Sequence, residues 1–306
     1  MANELVTIKD YSGITSIVLD GLTSDHSKRA YEKALVDFLG WYDQAGKPGL
    51  SKVVVQRYKA TLQDQGLAPS TINQRMSAIR KLAQEAADNG LLDPLMANGI
   101  SNVKGVTHHG TRAGLWLTKD QAQELLNKPD INTLKGLRDR AVLGVMLGGG
   151  LRRSEIAKLQ IEQVQQRDGR WVIVDLVGKG NRVRSVPIPS WSKKAIDDYL
   201  ELAGVESGNL FISINKGGNI SRRSITPQAV RDIVSHYGKA IGFEDLAAHD
   251  LRRTFSKLAH KGGAGLDQIQ LSLGHASIQT TERYLGVAQD LTDAPCDRLG
   301  LNLFVL

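Results

Sequence analysis

Six side chains in the second half of the chain have the chemistry needed to transfer a phosphoryl group without a metal. They are Arg152, Lys179, His249, Arg252, His275 and Tyr284. An arginine fork binds two phosphate oxygens at once and does not lose its charge. A tyrosine suits the role of nucleophile, because its phosphodiester stores the bond energy that a reverse attack needs. The residue types therefore indicate a phosphodiester exchange through a covalent tyrosine intermediate.

Such a reaction also needs proton transfer. A free tyrosine has a pKa near ~10, so about one phenol in a thousand is ionised at pH 7, and a base or the field of two arginines must help. A lysine on a mobile turn, here Lys179, can protonate the leaving alkoxide. We find no compact cluster of Asp and Glu of the kind that holds two Mg²⁺ ions. We therefore expect no metal and no cofactor, and we assign the adjacent His108 and His109 to an exposed loop.

Each of these residues also has an ordinary structural explanation on its own. Arg152 and Glu155 are spaced as a surface pair on one helix, and such a pair contributes only about 0.2–0.5 kcal/mol. Lys179 could be a solvated turn residue, His249 a helix cap and Tyr284 a core aromatic. The functional interpretation therefore rests on the set and not on any one member.

The first third of the chain has the apolar spacing of three helices. A serine of the N-cap type precedes each helix and a glycine follows it. These residues are Ser24, Ser51 and Ser70, and then Gly46, Gly66 and Gly90. The outer face of the third helix suits contact with phosphates, or is simply solvated. Its polar and basic residues are Asn73, Arg75, Ser77, Arg80 and Lys81.

The second part of the chain mixes helical and strand patterns. Thr118 and Gln121 form a capping box, and residues 137–147 read as a buried helix closed by three glycines. Residues 171–177 and 183–188 are rich in β-branched residues, and the glycine-rich stretch between them predicts a hairpin turn. Thr226 and Pro227 start a further helix. The predicted fold class is mainly α with a small antiparallel β-sheet (α+β).

A polar segment separates these two parts. Residues 104–113 contain glycine and lack an apolar period, which is typical of a linker. We predict a helical domain over residues 1–103 and a mainly helical domain with a C-terminal tail over residues 114–306.

The positive charge of the chain is confined to its second part. The net charge is +7, from 39 basic and 32 acidic residues. Residues 1–100 hold 11 of each sign, so residues 101–306 hold 28 basic and 21 acidic groups and carry the whole excess. This excess fits a polyanionic partner, although a basic solvated surface would look the same.

A single cysteine, Cys296, excludes an intramolecular disulfide and fits the cytoplasm. We expect neither a membrane span nor a signal peptide.

Four segments in fixed order resemble the tyrosine recombinase (phage integrase) family, as a simple two-domain member similar to the Xer and Cre types. They are GLRRSE at 150–155, GKG at 178–180, HDLRR at 249–253, and LGH at 273–275 with Tyr284 nine residues on. The stretches SDHSKRAYEKALVDFLGWY and LAPSTINQRMSAIRKLAQEAADNGL resemble helices of the family's core-binding domain. The resemblance covers roughly residues 20–290 and implies a SAM-like helical domain followed by the family's catalytic domain.

The resemblance implies a role for each matching residue. Tyr284 would attack the scissile phosphate and form a 3′-phosphotyrosine, while Arg152 and Arg252 clamp the non-bridging oxygens. His275 would donate a further hydrogen bond and Lys179 would protonate the 5′-oxygen. By the same resemblance, His249 assists proton transfer and Glu155 orients neighbouring groups.

The resemblance also implies partners. The substrate would be double-stranded DNA, recombined by a homotetramer on two DNA sites without ATP. The C-terminal tail would assist assembly, because its apolar residues are costly to leave in water: Leu299, Leu301, Leu303, Phe304, Val305 and Leu306. Docking of the tail onto its own protomer remains the alternative.

Departures from the family pattern are small. Gly149 stands where many members have threonine, and Asp93-Pro94 stands where asparagine and proline are common. Neither touches a catalytic position. Two other functions stay open: a DNA-relaxing enzyme similar to type IB topoisomerases, and a DNA-binding regulator without catalysis.

Overall fold

The chain divides into two compact units, Met1–Arg112 and Ala113–Leu306. The computed structural model describes residues 11–107, 115–178, 181–215, 217–218, 220–275 and 277–285. Within these ranges, the structure does not describe the side chains of residues 11, 12, 222, 278, 280, 283 and 284. The division falls inside the stretch predicted as a linker, whose exact bounds stay a prediction.

The described part of the first unit is helical. Its helices are α1 (Tyr11–Asp20), α2 (Asp25–Gln44), α3 (Lys52–Asp64), α4 (Pro69–Asp88) and α5 (Pro94–Ser101). Their apolar faces form one core around Phe38, Tyr58 and Ile79. The three predicted helices are confirmed as α2, α3 and α4. The helices α1 and α5 were not predicted.

The turns of the first unit follow glycine chemistry. Gly46, Gly66 and Gly90 each follow a helix with a φ of +71° or +80°, where a residue with a Cβ is strained. The predicted cap at Ser70 is wrong, because α4 begins one residue earlier, at Pro69, with Ala68 as its N-cap. Proline is favoured at the first helical position, since its fixed φ suits the helix and its missing N–H costs nothing there.

The second unit begins with helices around a largely buried one. Its elements are α6 (Lys119–Asn127), α7 (Leu134–Gly149), α8 (Arg153–Ile156), a 3₁₀ turn (Ile161–Gln163), β1 (Val164–Arg167), β2 (Arg170–Val177), β3 (Val183–Ile188), α9 (Ser190–Ala203), β4 (Ile212–Ile214), β5 (Ile220–Ser224), α10 (Pro227–Ala240), α11 (Ala248–Lys261), α12 (Leu266–Leu273) and α13 (Ile278–Leu285). The capping box of Thr118 and Gln121 and the helix start after Thr226 are confirmed. Most residues of α7 are buried, as its apolar composition predicts, while Lys135 is exposed and Arg140 is half-buried.

The sheet of the second unit carries the hairpin predicted from sequence. The order β1-β2-β3 is antiparallel throughout, and Leu176 lies opposite Arg184. An irregularity between Ile173 and Leu176 includes Asp175 at a φ of +52°. This bulge inserts a residue, so Ile173 and Leu176 both face the core although they are three positions apart. The backbone N–H of Gly178 donates to the carbonyl of Arg182 (2.8 Å) at the base of the turn.

The end of α7 directs the chain into α8. Gly150 caps α7 at a φ of +63°, and its N–H donates to the carbonyl of Met146 (3.0 Å). A Cβ at Gly150 would lie 2.5 Å from the ring of Phe255, so only glycine fits. Leu151 is buried directly after this turn, and Arg152 then precedes α8 as its N-cap residue.

Candidate active site

Arg152 and Glu155 meet at the start of α8. The carboxylate of Glu155 accepts from the backbone N–H of Arg152 (2.8 Å) and from its Nη1 (2.9 Å). Glu155 is only 4% exposed, so this is not a pair on a solvated helix surface. Burial works to raise the pKa of Glu155, but the hydrogen bonds and charges of Arg184 and Arg152 together outweigh it and hold that pKa below its ordinary value.

A third residue, Arg184 on β3, completes this cluster. Its Nη1 and Nη2 donate to the two carboxylate oxygens of Glu155, each at 2.9 Å. Its Nε donates to the carbonyl of Ser272 at the end of α12 (2.9 Å). Sequence reasoning missed Arg184, because β3 alternates like any strand and no local pattern distinguishes this arginine from its exposed neighbour Arg182.

Arg252 on α11 is buried, with 1% of its surface exposed. Its Nη1 donates to the carbonyl of Gly150 (2.6 Å), and its Nη2 donates to the carbonyl of Leu273. One guanidinium therefore holds the end of α7 beside the end of α12. Because Arg152 follows Gly150 by only two residues, these bonds also bring Arg252 close to Arg152.

A cleft of about 430 Å³ lies over these arginines. Its lining residues are Arg152, Arg153, Ser154, Arg231, Ala247, Ala248, His249 and Arg252. His249 lies one turn before Arg252 on α11. Burial, together with the charges of Arg252 and Arg253, lowers the pKa of His249. Arg231 on α10 is a cleft residue that sequence reasoning missed, since it is one arginine on an amphipathic helix.

His275 follows α12 directly after Gly274, which has a φ of +62°. Its Nδ1 lies 2.9 Å from Oγ1 of the fully buried Thr281 on α13. Burial first, and then the charges of Arg252 and Arg152, lower the pKa of His275 to about 4. His275 is therefore neutral at pH 7, and it lies within the electrostatic reach of both cleft arginines.

Two of the six predicted residues are not fully described. Lys179 lies outside the described residues, between β2 and β3 in the sequence. Tyr284 belongs to α13, and its side chain also lies outside the described part. The ammonium of Lys257 on α11 donates to the carbonyl of Leu285, which holds the end of α13 against α11. The structure therefore brings together Arg152, Glu155, His249, Arg252 and His275, the five predicted residues whose side chains it describes.

The polar face predicted on α4 makes contacts within its own unit. Asn73 pairs with the backbone of Val106, accepting from its N–H (2.7 Å) and donating to its carbonyl (3.0 Å). Arg75 bonds Asp37 (2.8 Å). Arg80 donates to the carbonyl of Val103. The remaining two contacts run from the Ser77 hydroxyl to the carbonyl of Asn73 (2.9 Å) and from Lys81 to Glu85 (2.6 Å).

DNA contact by these five residues stays a prediction. The structure shows that Asn73 and Arg80 hold the chain after α5 against α4, and that Arg75 holds α4 against α2. These side chains therefore have structural roles that the sequence did not indicate.

Two further observations concern metal binding and the membrane. In the part of the chain that the structure describes, no group of three or more His, Cys, Asp or Glu side chains could hold a metal ion. The helices that it describes include none that is both long and apolar enough to span a bilayer.

The chain is similar to known recombinases along most of its length. Residues 115–290 match the model of the phage integrase family, and residues 16–90 match that of the phage integrase N-terminal SAM-like domain. The tyrosine recombinase XerC of Pelobacter propionicus is 31% identical over 274 residues, which cover 87% of this chain and 86% of that protein. The tyrosine recombinase XerC of Myxococcus xanthus is 31% identical over 280 residues, with 87% and 88% covered.

Solved structures share the fold. The XerH site-specific recombinase bound to a palindromic difH substrate matches with a TM-score of 0.69 and 20% identity, over 87% of this chain and 77% of that one. The Tn1549 transposon integrase in complex with transposon right end DNA matches with a TM-score of 0.68 and 15% identity, over 90% and 95%. At these identities the likeness concerns the fold alone.

This chain belongs to the phage integrase family, the tyrosine recombinases. The predicted fold class, a SAM-like helical domain and a mainly helical catalytic domain with small antiparallel sheets, is confirmed. The predicted activity, site-specific DNA recombination by a tyrosine recombinase, is confirmed at the level of the family. The topoisomerase-like and regulator alternatives are not favoured.

Proposed function

We propose that the cleft of the second unit binds the scissile phosphate of double-stranded DNA. The observation that carries this proposal is the convergence of Arg152, His249 and Arg252 on one cleft, with the neutral His275 beside them. Two fixed positive charges suit a phosphodiester transition state, whose non-bridging oxygens gain negative charge. The carboxylate of Glu155 orients Arg152 and takes no part in the bond changes.

Tyr284 is the nucleophile in this proposal. Its phenolate oxygen attacks phosphorus, a 3′-phosphotyrosine forms and the bond to the 5′-oxygen breaks. Lys179 gives its proton to the departing 5′-oxygen, and His249 assists the proton transfer at the phenol. The reverse step uses a 5′-hydroxyl from another strand, so one phosphodiester replaces another and the exchange needs neither ATP nor a cofactor.

His275 acts as a neutral hydrogen-bond donor. If the Thr281 hydroxyl donates to Nδ1, the ring proton is left on Nε2, where it can be given to a phosphate oxygen. The lowered pKa of His275 supports this assignment, because a neutral ring has one donor and one acceptor.

Replacement of Tyr284 by phenylalanine tests the nucleophile. Tyr284→Phe should bind DNA as the wild type does and form no covalent adduct on a duplex nicked next to the cleavage point. A covalent adduct in this variant would refute the assignment. Tyr237→Phe is the matched control, since it removes a phenol that donates to buried Asp139 (3.2 Å) and should leave adduct formation intact. An identical duplex without the recombination site tests the topoisomerase-like alternative, which predicts adduct there too.

The two units together would hold the duplex, the first through α4 and the grooves, the second through its phosphate cleft. The five residues of α4 predicted to meet DNA belong to this proposal: Asn73, Arg75, Ser77, Arg80 and Lys81. The positive excess of the second part supports it, and binding should therefore weaken steeply with salt. A protein working on DNA in this way, with one cysteine, fits the cytoplasm.

Assembly into a homotetramer on two DNA sites is part of the same proposal, because one tyrosine cuts one strand and two duplexes have four strands to exchange. A groove of about 370 Å³ on the second unit supports docking of the apolar tail of a second copy. Leu126, Leu147 and the 47% exposed Trp191 line it. Lys119 and Arg140 also line it, and they would suit a C-terminal carboxylate.

Deletion of residues 297–306 tests the tail. Tetramer formation on DNA should weaken more than cleavage at a single site, as measured by sedimentation and by adduct yield. Equal loss of both would favour docking of the tail onto its own protomer.

A further inference from the structure

We infer that Arg184 is a positioning residue of the reaction: it neutralises the carboxylate of Glu155, so that the charge of Arg152 is not cancelled and its guanidinium stays oriented toward the scissile phosphate. The inference rests on the proposed function and concerns a residue that no motif of the family resemblance includes. The side chain of Arg184 is only 10% exposed and both of its η nitrogens donate to Glu155, so it acts through Glu155 and not on the phosphate itself.

The electrostatic part of the argument starts from Glu155. A carboxylate next to a phosphate-binding arginine weakens phosphate binding, because it cancels the charge of the arginine and repels the phosphate. Here one oxygen of Glu155, Oε1, accepts from both Arg152 and Arg184 at 2.9 Å. The three side chains together keep one net positive charge. Without Arg184 the remaining pair would be neutral, and the cleft would lose much of its attraction for a phosphate at this position.

The geometric part concerns the side chains' exposure. The side chain of Arg184 is 10% exposed and that of Glu155 is 3% exposed, whereas that of Arg152 is 28% exposed. The buried pair is fixed by two parallel bonds, and the Arg152 guanidinium extends from it toward the cleft. A bidentate pair of this kind fixes an angle as well as a distance, which a lysine cannot do.

Arg184 also joins three segments that hold proposed catalytic residues. It lies on β3, which pairs with β2, and Lys179 lies between these two strands in the sequence. It bonds Glu155 beside Arg152, and its Nε bonds the carbonyl of Ser272, three residues before His275. A Cβ at Gly274 would lie 3.0 Å from Cδ of Arg184, so the chain passes directly against this side chain before it reaches His275.

The test measures the single-turnover rate of adduct formation on the nicked duplex at saturating DNA, together with DNA affinity and thermal unfolding. Arg184→Met should slow adduct formation by about a hundredfold, because Glu155 would then cancel the charge of Arg152 and no longer hold it in a fixed orientation. Adding Glu155→Gln to Arg184→Met should recover about tenfold of that loss, because it removes the carboxylate left without its partner. A purely structural role predicts no such recovery.

Two further variants complete the test. Arg184→Lys keeps a cation against the carboxylate, so it should fold and still slow the reaction by about tenfold through loss of the bidentate geometry. Arg170→Met removes an exposed arginine from the same sheet, and it should react within about threefold of the wild type.

The outcomes separate this inference from the proposed function. If the wild type forms no adduct, the proposed function fails. If the wild type reacts and Arg184→Met is within about threefold of it, or the double variant is no faster than Arg184→Met, only the role of Arg184 is overturned. If Arg184→Met does not fold, a wild-type rate in Arg184→Lys overturns it equally.

Discussion

The two units use the same residue types in different ways. In the first unit, Arg75 and Arg80 reach inward to Asp37 and to the carbonyl of Val103, so their charges hold neighbouring segments together. In the second unit, Arg152 and Arg252 come from distant positions in the sequence and converge on one cleft. The difference teaches that a basic helix face can serve packing within its own unit, whereas the proposed phosphate site is built from arginines of separate elements that converge on a cleft.

The largest effect that would sharpen this comparison is expected at Arg152. Arg152→Lys keeps the charge and loses the fork, so adduct formation should slow by about 10²–10³-fold, which corresponds to about 3–4 kcal/mol of transition-state stabilisation. DNA binding should change far less, because most of the affinity comes from other phosphates. The measurement is the single-turnover rate at saturating DNA. A rate near that of the wild type would mean that Arg152 serves structure, as Arg80 does.

A smaller effect, on stability and not on the reaction rate, is expected at Arg80. Arg80→Met removes a charged donor from the carbonyl of Val103, which should lower the unfolding free energy by about 1.5–3 kcal/mol. The single-turnover rate of bound protein should not change. Urea unfolding of the variant, with the adduct assay beside it, checks both statements. A slower reaction without loss of stability would instead support the predicted contact of α4 with DNA.

The smallest effect concerns pH and the histidines of the second unit. The pKa of His275 is about 4 in the folded chain, against about 6.5 when unfolded, so the unfolded chain binds the proton more readily between these values. The stabilisation is therefore complete above pH 6.5 and is lost as the pH falls toward 4. The pKa of His249 is lowered too, and it acts in the same direction.

Unfolding free energies at pH 7 and pH 5 measure this effect. The wild type should lose stability on acidification, and His275→Gln should lose less, because one of the two groups no longer titrates. An equal loss in both proteins would show that the pKa of His275 is not lowered in the folded chain.

The sequence predicted most of the elements and four of the segments around the cleft. Glycine turns and short motifs in a fixed order can be recognised in the sequence even when the motifs lie far apart. This is how Gly150, Arg152, Arg252 and His275 were found. The strands β4 and β5 were missed because each is too short for an alternation to show. The start of helix α4 at Pro69 was missed because Ser70, the next residue, is also a common type at the N-cap position.

Arg184 and Arg231 could not be found from local pattern, because what makes them part of the site is a contact. Arg184 is defined by a carboxylate 29 positions earlier and a carbonyl 88 positions later. Arg231 is defined by the packing of α10 beside the cleft. Neither contact produces a recognisable spacing of residues in the sequence. The sequence therefore predicted the residues that belong to a motif and not those that support them.

The buried guanidinium of Arg252 has a consequence for how the second unit opens. Because it bonds the carbonyls of both Gly150 and Leu273, fraying of either helix end releases one side of the guanidinium that also holds the other end. Amide hydrogens near these two ends should therefore exchange with solvent as one cooperative unit, although the ends are more than a hundred residues apart. Any local opening that exposes them also dismantles the cleft, so catalytic competence and protection from exchange should be lost together.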